Sequence, residues 1–369
     1  MKKIFYSILI FLLILLNFST VCADDVDNEV DFEDTIEVTA SNVSELPKTN
    51  SRRYIVYDRI SKSMIIGKNE DVKSAMASTT KIMTTIVILE KADLNEKVTV
   101  SAKAGGTGGS RLGLKRGDKA SVRDLLYGLM LRSGNDAAVA LAEHVGGSVK
   151  GFAELMNEKA IELGLTNTHF VTPHGLDDAN HYTTALELAK LTDYAMDNET
   201  FAKIVGTKST TIYINNQSRQ INNTNELLGV LNGVVGVKTG FTNNAGRCLV
   251  TETKRNNMDI ITIVLGADTK KDRTKDSVNL IEYTFSKYKM YNLEEQIIKE
   301  FNKWKNINEK RILIIKGKTS NPKLALGAIE KATIPICDND KIEYSINALT
   351  EVEAPVEQWN VMGTLTVKL

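Results

Sequence analysis

A serine and a lysine stand three residues apart, at Ser78 and Lys81, where an apolar stretch begins. Residues 81–90 repeat their hydrophobic side chains at helical spacing, so the hydroxyl and the amine fall on one helix face. A serine hydroxyl becomes a useful nucleophile when a nearby base takes its proton, and an unprotonated lysine amine is able to do this. The start of the helix adds unpaired N–H groups beside the serine. The segment therefore predicts nucleophilic catalysis by Ser78 with Lys81 as its base.

The Ser-x-x-Lys pattern alone is weak evidence for catalysis. It recurs at 286–289 and 320–323, and neither copy opens an apolar helix. A bare match is most often a surface serine beside a solvated lysine. The Ser-x-Asn pattern at 133–135 is equally weak alone, because it recurs at 277–279 and 345–347. Order and setting therefore decide whether these residues act together.

Two further groups of residues supply that setting. Ser133 and Asn135 lie in a break between two predicted helices, and Lys238-Thr239-Gly240 occurs once, in a predicted strand. A glycine in a strand lets a ligand approach the backbone closely, and a lysine beside a hydroxyl suits an anionic carboxylate. The three groups together predict a serine hydrolase whose substrate carries a carboxylate.

Composition and charge narrow the class of protein. The chain has 369 residues, 42% of them hydrophobic, which is enough for two globular domains with packed cores. Equal numbers of acidic and basic residues give no indication of nucleic-acid binding. The four histidines show no zinc-ligand spacing, and no Gly-x-Ser-x-Gly segment occurs, so neither a metallopeptidase nor a Ser-His-Asp hydrolase is supported. We expect no metal and no cofactor.

The first 50 residues indicate export. Residues 1–23 combine two lysines, an apolar run too short for a membrane span, and a small-residue cleavage pattern, which is typical of a signal peptide. Residues 24–50 hold nine acidic side chains and one lysine, which predicts a flexible acidic spacer. We therefore expect an extracytoplasmic protein. Cys248 and Cys337 fall in different predicted domains, so we expect no structural disulfide between them.

The rest of the chain divides into a predicted catalytic domain, 51–290, and a β-rich domain, 291–369. In the first, a hairpin at 54–66 and a meander at 234–266 predict a five-stranded antiparallel sheet. Predicted helices cover 121–132, 137–145, 149–163, 184–196 and 276–285, and a glycine-rich loop covers 105–110. In the second, the pattern predicts a helix at 293–302 and strands at 311–316, 325–331, 341–348 and 363–368. The predicted fold class is α+β.

Four short segments, taken in order, resemble the low-molecular-mass penicillin-binding proteins that are serine D-alanyl-D-alanine carboxypeptidases of the peptidase S11 family. These segments are residues 77–81, 131–137, 173–176 and 236–242. The resemblance extends over about residues 46–369. It implies a β-lactamase/DD-peptidase-like catalytic domain followed by a small C-terminal all-β domain.

The resemblance implies a reaction on peptidoglycan stem peptides. Ser78 would attack the carbonyl between the last two D-alanines, release the terminal D-alanine and form an acyl-enzyme that water hydrolyses. Lys81 would take the serine proton, which requires its usual pKa of about 10.4 to be lowered by burial and by the second cation Lys238. Ser133 and Asn135 would relay the leaving-group proton and hold the substrate amide. β-Lactam antibiotics would acylate the same serine.

The remaining implied roles concern substrate binding. Lys238 and Thr239 would bind the terminal carboxylate, and Gly240 would let the substrate backbone approach. The backbone N–H groups of Ser78 and Phe241 would form the oxyanion hole. Arg273, near the start of the helix after the meander, takes the place of a family arginine that assists carboxylate binding, while a solvated surface arginine is the alternative.

Two other functions stay open at this point. A β-lactamase shares the three motifs but needs a further base for deacylation, and no Glu-x-x-Leu-Asn occurs between the second and third motifs. Slow hydrolysis of bound penicillin is therefore expected. A binding module with inactive chemistry is the second alternative, and it would need a defect that the motif residues do not show. His174 is expected to shape a loop beside the site.

The end of the sequence bears on membrane attachment. Many relatives end in an amphipathic helix with an apolar stripe and a basic face, which lies on the membrane surface. Residues 364–369 instead alternate in a way that suits a closing β-strand. We therefore expect at most loose, peripheral membrane association, unless an uncleaved signal segment tethers the protein.

Overall fold

The computed structural model describes residues 45–317, 321–329, 332–338 and 340–368. The predicted signal peptide, and the predicted spacer up to residue 44, lie outside the described residues. The strands are β1 (Arg53–Asp58), β2 (Ser63–Lys68), β3 (Lys97–Thr99), β4 (Lys119–Ser121), β5 (Ser209–Ile214), β6 (Gln217–Asn222), β7 (Val234–Thr242), β8 (Gly246–Arg255), β9 (Met258–Ala267), β10 (Tyr288–Asn292), β11 (Leu313–Ile315), β12 (Thr333–Cys337), β13 (Glu343–Ala348), β14 (Glu351–Glu353) and β15 (Gly363–Lys368). The α-helices are α1 (Lys81–Lys91), α2 (Ala102–Gly105), α3 (Val122–Leu131), α4 (Asn135–Gly146), α5 (Val149–Glu162), α6 (Ala185–Met196), α7 (Glu199–Val205), α8 (Lys270–Lys287) and α9 (Glu294–Asn308).

The main sheet has five antiparallel strands in the order β2-β1-β9-β8-β7, which confirms the predicted sheet and its α+β class. β1 pairs with β9, so the beginning and the end of this domain meet in the middle of the sheet. The helical block, including α1 and α4, contributes to the larger hydrophobic core on one face, and α8 closes a second core on the other. β9, in the middle of the sheet, is a nearly continuous apolar run because both of its faces are covered.

The structure corrects several predicted elements. A polar hairpin, β5 and β6, extends a second sheet of order β3-β4-β5-β6 that was not predicted. Its turn, Asn215 and Asn216, has positive φ at both positions, as a tight hairpin turn requires. The helix predicted from residue 276 begins at Lys270, where the Thr269 side chain accepts a hydrogen bond from Asp272 N. Part of the predicted glycine-rich loop belongs to α2.

The C-terminal region is built from strand pairs, β10 with β12, β11 with β14 and β13 with β15. β15 matches the predicted strand at 363–368, whereas the strand predicted at 325–331 is wrong over its described residues 325–329. There, Leu326 and Ile329 pack on a small core without pairing in a ladder. The domain division at residues 290 and 291 stays a prediction, and β10 runs across it. Cys248 and Cys337 are free thiols.

A buried ion cluster ties three parts of the catalytic domain together. Arg59, in the turn after β1, lies 2.9 Å from Asp193 and 2.6 Å from Asp197, both at the end of α6. It also lies 2.6 Å from Glu252 on β8 and 3.1 Å from Asp259 on β9. The guanidinium supplies several donors in fixed directions, so it is suited to hold carboxylates from separate elements.

Within the described residues, no helix combines the length and the apolar character needed to cross a membrane.

Candidate active site

The predicted nucleophile lies on a short 3₁₀ turn, Ala77–Thr80, that leads into α1. Ala77 has a φ of +48°, in the left-handed region that non-glycine residues seldom occupy. Such strained positions persist where the surrounding structure fixes them, and they concentrate at functional sites. Ser78 is partly exposed, whereas its neighbours Thr79, Thr80 and Lys81 are buried. The turn therefore presents one hydroxyl to the outside from an otherwise buried segment.

Lys81 is fully buried, and its amine is surrounded by three oxygen atoms. Nζ lies 2.7 Å from Ser78 Oγ, 2.7 Å from Asn135 Oδ1 and 2.9 Å from the carbonyl oxygen of His174. The amide and carbonyl oxygens only accept hydrogen bonds, while the serine hydroxyl is able to donate one. An ammonium with three N–H groups satisfies all three contacts by donating, and a neutral amine satisfies them when the Ser78 hydroxyl donates to its lone pair. The predicted pair of Ser78 and Lys81 is thus brought together.

Lys238, the lysine of the Lys-Thr-Gly segment, contacts Ser133, the serine of the Ser-x-Asn segment. Lys238 on β7 is buried, and its Nζ lies 3.1 Å from Ser133 Oγ and 2.8 Å from the carbonyl oxygen of Thr239. Ser133 has a φ of +58°, which turns the chain between α3 and α4 so that its hydroxyl faces β7. Thr239 Oγ1 lies 2.8 Å from Thr224 Oγ1. The motifs on α1, before α4 and on β7 therefore converge on one place.

The glycine-rich loop positions Asn135. The Asn135 side-chain amide donates to the carbonyl of Gly108 at 2.9 Å, and its backbone N–H donates to the carbonyl of Ser110 at 2.7 Å. With Nδ2 held by the loop, Oδ1 points to Lys81 Nζ. This settles which end of the amide faces the lysine. The loop thus supports one wall of the site.

β7 runs close to the nucleophile. A Cβ placed on Gly240 would lie 3.0 Å from the backbone nitrogen of Ser78, which is tighter than side chains ordinarily tolerate. Glycine at this position therefore lets the strand approach the turn that carries the serine. The next residue, Phe241, packs its ring 3.7 Å from the Arg247 guanidinium across the β7–β8 pair.

His174 contributes a backbone atom to the site. Its carbonyl oxygen accepts from Lys81, and its Nδ1 accepts from the backbone N–H of Leu176 at 3.2 Å. Burial lowers the pKa of His174 to about 3, so the ring is neutral over the ordinary pH range. The expected loop-shaping role of His174 agrees with this geometry, and the carbonyl contact to Lys81 is an addition to it.

Arg273 lies on the first turn of α8 and is fully buried, which differs from a solvated surface arginine. Its Nη2 lies 2.5 Å from Glu226 Oε1, and the Thr274 hydroxyl donates to the same oxygen at 2.7 Å. Burial raises the pKa of Glu226, but attraction to Arg273 and the hydrogen bond from Thr274, with smaller contributions, together outweigh it, so the net pKa is lowered and the carboxylate stays charged. Glu226 is two residues from Thr224, which contacts Thr239. The predicted direct role of Arg273 in carboxylate binding stays a prediction.

Sequence reasoning missed polar residues that hold the site from behind. Asp136, fully buried, accepts the backbone N–H groups of Leu112 and Leu114, both at 2.9 Å. His181 Nε2 lies 2.8 Å from Thr80 Oγ1. The position of Asp136 next to Asn135 was the one available signal, because a carboxylate at a helix start often binds backbone N–H groups.

Comparison with known proteins agrees with this geometry. The family model for D-alanyl-D-alanine carboxypeptidases, Peptidase_S11, matches residues 39–269. The D-alanyl-D-alanine carboxypeptidase DacF of Bacillus subtilis is 33% identical over 321 residues, which cover 85% of this chain and 80% of the relative. The D-alanyl-D-alanine carboxypeptidase DacC of Escherichia coli is 34% identical over 356 residues, covering 89% of this chain and 83% of the relative.

Solved structures show the same fold. Penicillin-binding protein 5 from Haemophilus influenzae superposes with a TM-score of 0.72 at 30% identity, covering 88% of this chain and 94% of that one. The Streptomyces K15 DD-transpeptidase superposes with a TM-score of 0.62 at 34% identity, covering 66% and 99%. The fold and the converging motifs define a serine-type DD-peptidase. The chain belongs to the D-alanyl-D-alanine carboxypeptidase family, peptidase S11.

Proposed function

We propose that Ser78 is the nucleophile that removes the terminal D-alanine from peptidoglycan stem peptides ending in D-Ala-D-Ala. The supporting observation is the 2.7 Å contact between Ser78 Oγ and Lys81 Nζ inside the converging motifs. In the acylation step the Ser78 O–C bond forms, the peptide C–N bond breaks, and the serine proton passes to the leaving amine. Water then cleaves the ester and restores the hydroxyl.

Lys81 is the base in this proposal. It has to be unprotonated in the resting enzyme, and full burial favours the neutral amine over the ammonium ion. Asn135 Oδ1 and the His174 carbonyl take its two N–H groups, so its lone pair points to Ser78. Ser133, beside Lys238, lies on the route by which the proton reaches the leaving nitrogen.

The substrate carboxylate binds to Lys238 and Thr239 on β7. An ammonium group next to a hydroxyl forms charge-assisted hydrogen bonds with a carboxylate. Arg273 supports this subsite from behind, because its partner Glu226 belongs to the segment whose Thr224 contacts Thr239. A free terminal carboxylate is therefore the feature that selects the substrate.

The developing negative charge on the scissile carbonyl is stabilised by the backbone N–H groups of Ser78 and Phe241. Gly240 brings β7 close to the Ser78 nitrogen, so two donors from different elements can face one oxygen atom. Each such donor typically contributes about a hundredfold to a thousandfold in rate. β-Lactams, whose carbonyl and carboxylate imitate the substrate, would acylate Ser78 and leave slowly.

The test uses the purified full-length chain, fluorescent penicillin and a peptide ending in D-Ala-D-Ala. Ser78→Ala is expected to abolish both covalent labelling and D-alanine release. Ser286→Ala is the matched control, since Ser286 heads another Ser-x-x-Lys segment and its hydroxyl merely donates to the Tyr283 carbonyl at 2.8 Å. Covalent labelling of Ser78→Ala would place the nucleophile elsewhere, and rapid turnover of penicillin would favour a β-lactamase.

We further propose that the enzyme acts outside the cytoplasm, where peptidoglycan lies, with at most peripheral attachment to the membrane. The support is the signal-like sequence of residues 1–23. Cell fractionation with N-terminal sequencing tests it. A mature chain that begins near Asp24 and is released from membranes by washing is expected, whereas a cytoplasmic chain that begins at Met1 would contradict the proposal.

A further inference from the structure

Behind the nucleophile, a buried chain of hydrogen bonds runs from a loop to the backbone before Ser78. The N–H groups of Val171 and Thr172 donate to His181 Nδ1 at 3.0 and 3.4 Å. Nδ1 is therefore the unprotonated nitrogen, and Nε2 carries the hydrogen of the neutral ring. Nε2 donates to Thr80 Oγ1 at 2.8 Å, and the Thr80 hydroxyl donates to the Ala77 carbonyl at 2.8 Å. Every bond in the chain thus has one defined direction.

The environment keeps this chain intact. His181 and Thr80 are buried, and the His181 ring packs edge-on against Phe170 at 5.7 Å. Burial lowers the pKa of His181 to about 4, so the ring stays neutral near neutral pH. Gly175 closes the other side, because a Cβ at this glycine would lie 1.9 Å from the Ala77 carbonyl oxygen. The Ala77 carbonyl is therefore held from two directions.

The end point of the chain determines where the Ser78 N–H points. The Ala77 carbonyl and the Ser78 N–H belong to one trans peptide unit, so they point in opposite directions in one plane. This peptide rotates about ψ of Ala77 and φ of Ser78, and such a rotation would break the hydrogen bond that the Ala77 carbonyl accepts from Thr80, so that bond opposes the rotation. We infer that Thr80 and His181 are positioning residues that hold the Ser78 N–H in the oxyanion hole. This inference rests on the function proposed above.

Thr80→Val removes the hydroxyl and keeps the shape of the side chain. Both acylation and deacylation pass through an oxyanion, so we expect both rate constants for penicillin to fall about tenfold to a hundredfold. The dissociation constant of the non-covalent penicillin complex should change by less than about threefold, because the carboxylate subsite is untouched. Thr80→Ser restores the hydroxyl and should regain most of the lost rate. Wild-type rates in Thr80→Val would overturn the inference.

A matched control separates positioning from loss of a buried hydrogen bond. Thr284 on α8 is also fully buried, and its hydroxyl donates to the Leu280 carbonyl at 2.8 Å on the opposite side of the sheet. Thr284→Val should therefore destabilise the protein to a similar degree, measured by thermal unfolding, while keeping the acylation rate. An equal loss of acylation rate in both valine variants would mean that the effect is general destabilisation, and would contradict the inference.

A double-mutant cycle tests the chain itself. His181→Phe keeps a ring beside Phe170 and removes both nitrogen atoms, so it should lower the acylation rate in the same way as Thr80→Val. If both residues act through one chain, the double variant should lose little more than the worse single variant. If the acylation rate of the double variant fell by the product of the two single losses, the two residues would act independently, and this would contradict the hydrogen-bond chain. Failure of wild-type protein to be labelled by penicillin would instead contradict the proposed function, so the two failures are distinguishable.

Discussion

Two buried basic side chains of the catalytic domain, Lys81 and Arg59, are held in opposite ways. Three uncharged oxygen atoms lie within 2.9 Å of Lys81 Nζ, those of a hydroxyl, an amide and a backbone carbonyl. Around Arg59, four carboxylates lie within 3.1 Å. The first arrangement places little penalty on losing the positive charge, whereas the second makes the charge indispensable.

The difference separates chemistry from stability. A lysine amine can lose its proton, so uncharged acceptors are suited to a base that cycles between two protonation states. A guanidinium stays protonated in proteins, so it is suited to a fixed structural tie between β1, α6 and the β8–β9 pair. We therefore expect changes at Lys81 to affect the reaction, and changes at Arg59 to affect the free energy of unfolding.

The largest expected effect is that of Lys81→Arg. Arginine keeps a positive charge but cannot serve as a base near neutral pH, so the acylation rate should fall roughly a thousandfold or more. Stopped-flow or gel-based labelling with fluorescent penicillin measures this rate. Lys289→Arg is the control, because Lys289 ends the Ser-x-x-Lys segment that begins at the exposed Ser286. Its acylation rate should equal that of wild type. Near-normal acylation by Lys81→Arg would mean that Lys81 acts only through its charge.

A smaller effect, on stability alone, is expected for Arg59→Leu. Removing the guanidinium leaves several buried carboxylates without their cation, which typically costs about 3–5 kcal/mol of unfolding free energy. Urea unfolding measures the loss. Arg52→Leu is the control, because the Arg52–Asp268 pair is more than half exposed and should contribute less than about 1 kcal/mol. If the acylation rate per folded molecule also dropped sharply, the two regions would not be separate in function.

The smallest effect concerns Glu252, the carboxylate of the Arg59 cluster that lies deepest. Burial and repulsion by Asp259 raise its pKa to about 7, with attraction to Arg59 opposing them. The folded protein therefore keeps a proton on Glu252 up to a higher pH than the unfolded chain does, because an unperturbed glutamate has a pKa of about 4.3. The stability contributed by Glu252 is therefore fully present below the unfolded-state pKa of about 4.3, and it is lost as the pH rises through the folded-state pKa of about 7.

Glu252→Gln should remove this pH dependence, because the amide imitates the protonated acid and still offers an oxygen atom to Arg59. Measured against wild type, the variant should be relatively more stable at pH 8 than at pH 5, by at most about 3 kcal/mol. Thermal unfolding across this pH range gives the comparison. Parallel curves for the two proteins would show that Glu252 is ionised in the folded state throughout.

The part of the site that could be predicted from sequence is the part that helix geometry dictates. Ser78 and Lys81 meet because three residues make one turn, and Gly240 follows from the need for close approach on a strand. The contact between Ser133 and Lys238 joins residues 105 positions apart, and the resemblance to a family assigned both residues to one site without predicting the contact, which no local pattern encodes.

The supporting residues escaped prediction for a physical reason. Thr80 and His181 meet across 101 positions, and buried polar side chains leave no periodic signal, because the hydrophobic pattern records only apolar burial. The β5–β6 hairpin was missed because its outward side chains are polar, although its Asn-Asn turn was a usable indication. Arg273 shows the same limit, because its position on α8 was predicted but its partner Glu226 was not.

Gly175 also limits how this enzyme can evolve. Its φ is +88°, and any side chain there would collide with the carbonyl of Ala77. Every single-base change that replaces this glycine therefore shifts the peptide that precedes the nucleophile, whichever amino acid it introduces. Substitutions that leave the backbone before Ser78 in place are therefore confined to other positions.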